Sequence, residues 1–229
     1  MTKIGIIGAG QIGGVLTRRF RELGYAVSVA NSRGPVTLAG LARETGARAV
    51  TVEAAARSND VVIVTIPERS ILDLPADLFA RLADDVVVVD TGNYYPQQRD
   101  GLIAAIESGM TESGWVAGRL HRPVIKAFNN IMAEHLHDDG KAAGAAGRIA
   151  LPISGDDETA KALVEHLIDR LGFDTVDNGD LDQSWRHQPG TPVYGKDFDA
   201  EGVRLALSQA QKRRGAEWRA NVHAPVPAR

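Results

Sequence analysis

The 229-residue chain contains no cysteine. That absence excludes disulfides, thiolate metal sites and a cysteine nucleophile, and it fits a reducing cytoplasm. No stretch approaches the roughly 18 uninterrupted apolar residues of a membrane span. The N-terminus "MTKIGIIGAG" passes from a short apolar run straight into a glycine turn, so it does not read as a signal peptide. The expectation is a soluble, cytoplasmic protein with no membrane partner. The formal net charge is −3, so no global basic field points to nucleic acid. Repeats and low-complexity tracts are also lacking. What remains is ordinary globular composition, 44% hydrophobic and 24% charged, in a chain long enough to bury a core without staples.

The apolar segments alternate in kind. "KIGII", "YAVSVA", "ARAVT", "DVVIVTIP", "DVVVVDTG", "RPVIKAFNN", "RIALPISG" and "FDTVDNG" read as strands, most of them short, apolar and β-branched. Between them, "VLTRRFRELG", "TLAGLARETG", "VEAAARSN", "GLIAAIESGM", "IMAEHLHDDG" and "DDETAKALVEHLIDRLG" read as helices, and "ILDLPADLFARLAD" as a broken one. Parallel neighbours need right-handed crossovers that cover both faces. The fold class is therefore α/β, a doubly wound, mostly parallel sheet of about eight strands. Residues 1–180 make this α/β domain. Residues 181–229 form a C-terminal loop and helix extension packing on that domain or on a partner subunit. The loop "DLDQSWRHQPGTPVYGKD" is aperiodic, and "AEGVRLALSQAQKRRGAEW" is a last helix. Its Val203, Leu205, Ala206, Leu207 and Ala210 can support a homodimer contact, and residues 221–229 look like a frayed tail.

Gly8, Gly10 and Gly13 form G-x-G-x-x-G directly after a strand and at the opening of a helix. Gly8 permits the tight turn, Gly10 lets backbone approach a pyrophosphate, and Gly13 lets helix pack on strand. The helix N-terminus offers free N–H groups to the phosphates. About twenty residues later a carboxylate would select NAD by binding the ribose hydroxyls. Here the position holds Asn31, Ser32 and Arg33. A planar cation with two hydrogen-bonding neighbours suits a 2′-phosphate, so NADP(H) is the expected cofactor. "NSRGP" is also good turn chemistry in its own right.

With "IGIIGAGQIGG", the Ser32–Arg33 pair, "VVIVTIP" and "IALPISGDDETAKALVEHL" in view, residues 3–182 resemble the NADP oxidoreductases that use the deazaflavin coenzyme F420. The domain of that family also recurs in the cytoplasmic part of membrane ferric reductases. The resemblance implies a Rossmann-type fold and hydride transfer between nicotinamide C4 and an acceptor ring stacked against it. It implies that the Gly8–Gly13 loop, including Gln11 and Ile12, holds the pyrophosphate. Ser32 and Arg33 would hold the 2′-phosphate, and Thr65, Ile66 and Pro67 would line the cofactor cleft. The family segment facing the acceptor is usually small and apolar with a histidine, whereas this chain has "VIKAFNNI". The NADP half therefore carries over more fully than the acceptor half.

Ligands of open α/β sheets lie beyond the carboxyl ends of the strands. Thr91 and Asn93 are there to contact the nicotinamide ribose or carboxamide. Lys126 at a strand end is a candidate proton donor to a carbonyl or imine, with Asn129 or Asn130 orienting that group. Equally, Lys126 can pair with a carboxylate, and the asparagines can cap a helix. Tyr94, Trp185 and Arg186 are candidates for stacking on or bonding to the acceptor. The acceptor is a deazaflavin, a flavin, or a small carbonyl or imine. A non-catalytic NADP(H) redox sensor is the reading from another class. His135 and His137 are two apart and do not share a helix face, so no metal site is expected. Lys212, Arg213 and Arg214 read as a solvated helix end.

Overall fold

The computed structural model describes residues 2–57 and 59–221. Residues 222–229, most of the stretch expected as a frayed tail, lie outside the described residues. In chain order the elements are β1 (Lys3–Ile7), α1 (Gln11–Glu22), β2 (Ala26–Ala30), α2 (Ala39–Thr45), β3 (Arg48–Ala49), α3 (Val52–Ala56), β4 (Val61–Val64) and β5 (Val87–Asp90). They continue with α4 (Ala104–Glu107), α5 (Glu112–Leu120), β6 (Ile125–Lys126), α6 (Ala133–Asp138), β7 (Ala150–Ile153), α7 (Glu158–Leu171), β8 (Asp174–Asp177) and α8 (Ala200–Ser208).

Six parallel strands lie in the order β3-β2-β1-β4-β5-β6. Every residue of β4 is buried, as are Ile4 to Ile7 of β1, because helices cover both faces. On one face Leu16 and Phe20 of α1, Leu136 of α6, and Val164, Leu167 and Ile168 of α7 pack on the sheet. Phe20 meets Tyr25 edge to face at 5.5 Å. Removing a ring so placed costs about 3–5 kcal/mol. The other face carries Phe79, Tyr94, Trp115, Val116 and Leu120. Strand order reverses between β1 and β4, so the chain parts there to opposite sides of the sheet and leaves a crevice at the carboxyl ends.

The eight expected strands form, but as six plus two. β7 and β8 make their own parallel pair. Lys126 and Ser154 join it to the main sheet by one antiparallel bridge, with both backbone bonds made at 2.8 and 3.1 Å. β6 ends after two residues because Phe128, buried, turns the chain with φ +61°. That conformation is rare for an aromatic residue and is held by its surroundings.

Three helix expectations change. Residues 71–84 form no α-helix: a 3₁₀ turn spans Glu68–Asp73, and Pro75 then begins a run of tight turns. α5 was not expected, since two glycines interrupt its pattern. Its start is written in the sequence nonetheless, with the Thr111 side chain accepting from Gly114 N. The last helix stops at Ser208 rather than running on to Trp218. Val203, Ala206 and Leu207 of α8 pack with Ala150, Val176 and Val193 of the same chain, while Leu205 stays exposed. Among the described residues no helix is long and apolar enough to cross a membrane.

Candidate functional site

The cleft at the carboxyl ends of β1, β2 and β4 begins on the glycine turn. Gly8 has φ +110°, and its N–H donates to Ala30 O at 2.8 Å. Thr65, at the end of β4, donates its hydroxyl to Gly8 O at 2.8 Å. A Cβ at Gly13 would stand 2.0 Å from Gly8 O, so only glycine lets α1 start this close to the strand. A Cβ at Gly10 would meet nothing within 4 Å. That position opens into the cleft, as close approach of a phosphate requires. α1 has no acidic residue in its first turn and no side-chain cap, so its N-terminal N–H groups stay available to an anion.

From this turn a cavity of about 680 Å³ extends over Asn31, Ser32, Arg33, Thr51, Thr65, Pro67 and Ser70. Asn31 uses its side chain on the turn itself: Oδ1 accepts from Arg33 N at 3.0 Å, and Nδ2 donates to Thr37 Oγ1 at 2.9 Å. Ser32 and Arg33 are exposed, and among the described residues neither side chain has a bonding partner. A second cavity, of about 390 Å³, continues the first. The two share Gly10, Thr65, Ile66 and Pro67. Its far end is made by Thr91, Asn93, Tyr95, Arg99, Phe128, Asn129, Ile131, Met132 and Tyr194. Another cavity of about 600 Å³ lies under the amino ends of β1 to β3, away from these loops.

The loop after β5 is fixed from below by buried carboxylates. Asp90 Oδ1 accepts from Gly92 N at 2.8 Å, Glu112 Oε2 from Tyr94 N at 3.2 Å, and Asp100 Oδ2 from Tyr95 N at 2.8 Å. Asp90 Oδ2 also accepts from Ser113 Oγ at 2.7 Å and from Lys126 Nζ at 3.0 Å. Lys126 donates further to Gly92 O and is fully buried. Burial works against its charge, but Asp90, Glu68 and Glu112 together raise its pKa above the ordinary lysine value. It is a locked ammonium beneath the loop, not a proton donor facing the cleft, which corrects the expectation for Lys126.

Glu68 is fully buried, and among the described residues neither carboxyl oxygen has a hydrogen-bond partner. Burial first, then Asp90, pushes its pKa well up, with Lys126 opposing. Burial therefore favours its protonated form. Gly92 lies directly on it, since a Cβ there would be 2.6 Å from Glu68 Oε1.

Other expected residues fall in three groups. Gly8, Gly10, Gln11, Ile12, Asn31, Ser32, Arg33, Thr65, Ile66, Pro67, Thr91, Asn93 and Asn129 line the continuous cleft, with Gly13 packed behind it. Asn130 is buried away from it, and its side-chain amide has no partner among the described residues. Tyr94 is buried too. Its hydroxyl donates to Gly101 O at 2.7 Å and accepts from Ile103 N at 3.0 Å, so it holds the following loop. Burial raises that phenol to about 12. Trp185 stacks under Arg186 at 4.6 Å beside a separate small cavity with Thr111 and Arg213. Arg186 is engaged with Gln183 and Leu207 O, so neither residue is brought to the cleft. His135 pairs with Asp197 and His137 with Asp138.

The sequence reading singled out none of Tyr194, Arg99, Glu68, Glu112 and Ser113. Tyr95 and Tyr194 bond phenol to phenol at the far end of the cleft, and burial first, then that bond, raises the Tyr194 pKa. Arg99 lies over the Tyr95 ring at 5.0 Å, and Trp218 packs against both tyrosines. A tyrosine in a proline- and glycine-rich loop, "TPVYG", carries no periodic signal that points it at a site 99 residues away in sequence.

A family model described as NADP oxidoreductase, coenzyme F420-dependent, matches residues 3–94. The hypothetical protein SMa0349 from Sinorhizobium meliloti is 31% identical, with a TM-score of 0.74 over 86% of this chain and 95% of that one. A proposed F420-dependent NADP reductase from Arthrobacter sp. FB24 is 25% identical, with a TM-score of 0.67 over 79% of this chain and 86% of that one. Protein YjhV of Escherichia coli K12 is 38% identical over 72 residues, which is 31% of this chain. The matched stretch spans 53% of that protein, about half its length. The family model ends at Tyr94 and covers the phosphate end of the cleft; the likeness to SMa0349 runs nearly end to end. Together they identify the chain as a member of the coenzyme F420-dependent NADP oxidoreductase family, a family of NADP-dependent oxidoreductases.

Proposed function

We propose that the protein binds NADP(H) along the whole cleft and exchanges a hydride with a planar redox ring, a deazaflavin or flavin. Bound NADPH supplies a hydride from C4 of its nicotinamide. The chain's own residues bind and orient. The free N–H groups at the start of α1 and the open face of Gly10 suit the pyrophosphate, and Ser32 and Arg33 suit the 2′-phosphate. Thr91 and Asn93 offer hydroxyl and amide groups where the nicotinamide end would lie, and Asn129 lines the cleft behind them. The contribution to rate is alignment and the exclusion of water.

One observation carries the choice of acceptor. The far end of the cleft is walled by Tyr95, Tyr194, Phe128, Ile131 and Met132, and no carboxyl, imidazole or ammonium group lines it among the described residues. A flat acceptor that takes a hydride without help from a protein acid fits such walls. A small carbonyl or imine is the second reading, because the Tyr95–Tyr194 phenols reach the cleft where Lys126 does not. NADPH oxidation by the purified protein, run against deazaflavin, flavins, ferric chelates, quinones, aldehydes and imines, tests both. Turnover with deazaflavin or flavin is expected. Turnover confined to aldehydes or imines overturns the first reading, and binding of NADPH without turnover on any acceptor favours a redox sensor.

A further inference from the structure

The amides at the far end of the cleft are held by a residue that does not touch it. His187 is fully buried and belongs to a 3₁₀ turn, Leu181–His187, in the C-terminal loop. Asn129 Nδ2 donates to His187 O at 2.6 Å and to Asn93 Oδ1 at 3.1 Å, which uses both of its hydrogens. Asn129 Oδ1, 2.8 Å from His187 Nδ1, can only accept, so Nδ1 carries the proton. Nε2 is then bare and accepts from Ser154 Oγ at 3.0 Å, and Ser154 Oγ accepts from Asn178 Nδ2 at 3.0 Å. Burial holds the imidazole neutral by lowering its pKa to about 3. Every hydrogen and lone pair in the chain from Asn178 to Asn129 has one consistent direction.

That direction reaches Asn93. Its Nδ2 donates one hydrogen to Asn129 O at 2.9 Å, and its Oδ1 accepts from Asn129 Nδ2. One N–H and one acceptor position remain. Asn93 is half-buried and lines the cleft. Its backbone is pinned on either side, at Gly92 N by Asp90 and at Tyr94 N by Glu112. Rotating the Asn93 amide by half a turn would bring two NH₂ groups face to face and lose two bonds.

We propose that His187 is a positioning residue: through Asn129 it fixes the Asn93 amide so that its remaining donor and acceptor meet the primary carboxamide of the nicotinamide ring. A primary amide presents an acceptor and a donor side by side, the complement of what Asn93 has left. The inference rests on the reading that the cleft takes NADP(H). It adds the device that sets which way the ring lies, and two of its parts, Asn129 and His187, lie outside the residues that the family model matches.

The test is calorimetric titration of the full chain with NADP⁺, with its acetylpyridine analogue, in which a methyl replaces the amide NH₂, and with 2′-phospho-ADP-ribose, which has no nicotinamide. Wild type binds NADP⁺ about 2- to 12-fold more tightly than the analogue, the scale of one net hydrogen bond. His187→Leu brings that ratio to about one and leaves 2′-phospho-ADP-ribose within about twofold of wild type. His187→Asn keeps a donor at the place of Nδ1 and restores most of the ratio. A wild-type ratio of one, or a ratio that His187→Leu leaves unchanged, overturns the inference while NADP⁺ binding stands. If His187→Leu also loses 2′-phospho-ADP-ribose, the loop has collapsed and Asn93→Ala decides: loss of the ratio supports the inference, and its persistence overturns it. If wild type binds none of the three ligands, the cofactor reading fails and the inference with it.

Discussion

Replacing Lys126 by methionine separates a structural ammonium from a catalytic one. Lys126 Nζ lies 3.0 Å from Asp90 Oδ2, with side-chain exposures of 0% and 2%, and it also donates to Gly92 O. Methionine keeps the length and apolar bulk of the stem but leaves Asp90 charged and buried. Ser113 Oγ and Gly92 N still bond that carboxylate, but its buried ammonium partner is gone. Removing one partner of a buried pair costs about 3–5 kcal/mol. The double variant Lys126→Met/Asp90→Asn removes both charges, and its asparagine can still accept from Gly92 N. It should recover about half of the loss, ~2 kcal/mol. Urea unfolding followed by tryptophan fluorescence measures both variants, and NADPH oxidation is assayed at a temperature where they are folded. The expected outcome is a strongly destabilised single variant, a partly rescued double variant, and turnover that follows the folded fraction. If Lys126→Met keeps wild-type stability but abolishes turnover on an aldehyde or imine, Lys126 acts on substrate and the locked-ammonium account is wrong.

Gly10→Ala adds a methyl that meets no protein atom within 4 Å at a residue with φ −76°, so folding should lose no more than the ~1 kcal/mol of a poorer helix cap. The methyl occupies the approach to the phosphate loop, and NADP⁺ affinity should fall at least ~10-fold, about 1.4 kcal/mol, by calorimetry. Gly13→Ala, whose Cβ would meet Gly8 O at 2.0 Å, should lose stability and affinity together. Glu68 is buried with its pKa well above 4.5, so the folded chain keeps a proton that the unfolded chain releases. Its contribution is complete below about pH 4.5 and is lost as pH rises through the folded pKa. Glu68→Gln cannot ionise, so its advantage in unfolding free energy over wild type should grow by about 1.4 kcal/mol per pH unit across that window. Urea titrations from about pH 5 to 8 check this, and a pH-independent difference would mean that Glu68 is ionised or solvated.

The parallel core was legible because its strands are continuous apolar runs between glycines, and the phosphate turn because its three glycines follow such a strand. The end of that legibility can be located. β6 stops at Lys126 because Phe128 takes a left-handed backbone, and no composition signal marks a buried phenylalanine for φ +61°. The split of eight strands into six and two follows from that turn. α5 was hidden because Gly114 and Gly118 dilute its periodicity, although Thr111 marked its start. In the candidate site, the place of Arg33 on the cavity wall could be read from its offset after a glycine turn. His187, Tyr194 and Glu68 could not be, because each acts through partners brought to it only by the tertiary fold. Trp185 and Arg186 were read as acceptor contacts, yet their side chains satisfy one another and α8. Lys126 shows the same limit: a lysine at a strand end looks the same in sequence whether it faces substrate or a buried aspartate.

The central claim is that the cleft is built for NADP(H), with Arg33 as the free cation at its phosphate end. Titrating NADP⁺ and NAD⁺ into wild type and Arg33→Ala tests it most directly. Wild type should prefer NADP⁺, and Arg33→Ala should weaken NADP⁺ by about 1–3 kcal/mol, the scale of a charged hydrogen bond, while leaving NAD⁺ nearly unchanged. Equal affinity of wild type for the two dinucleotides, or an equal loss of both in Arg33→Ala, would contradict it and leave the Asn31–Arg33 segment as only a turn.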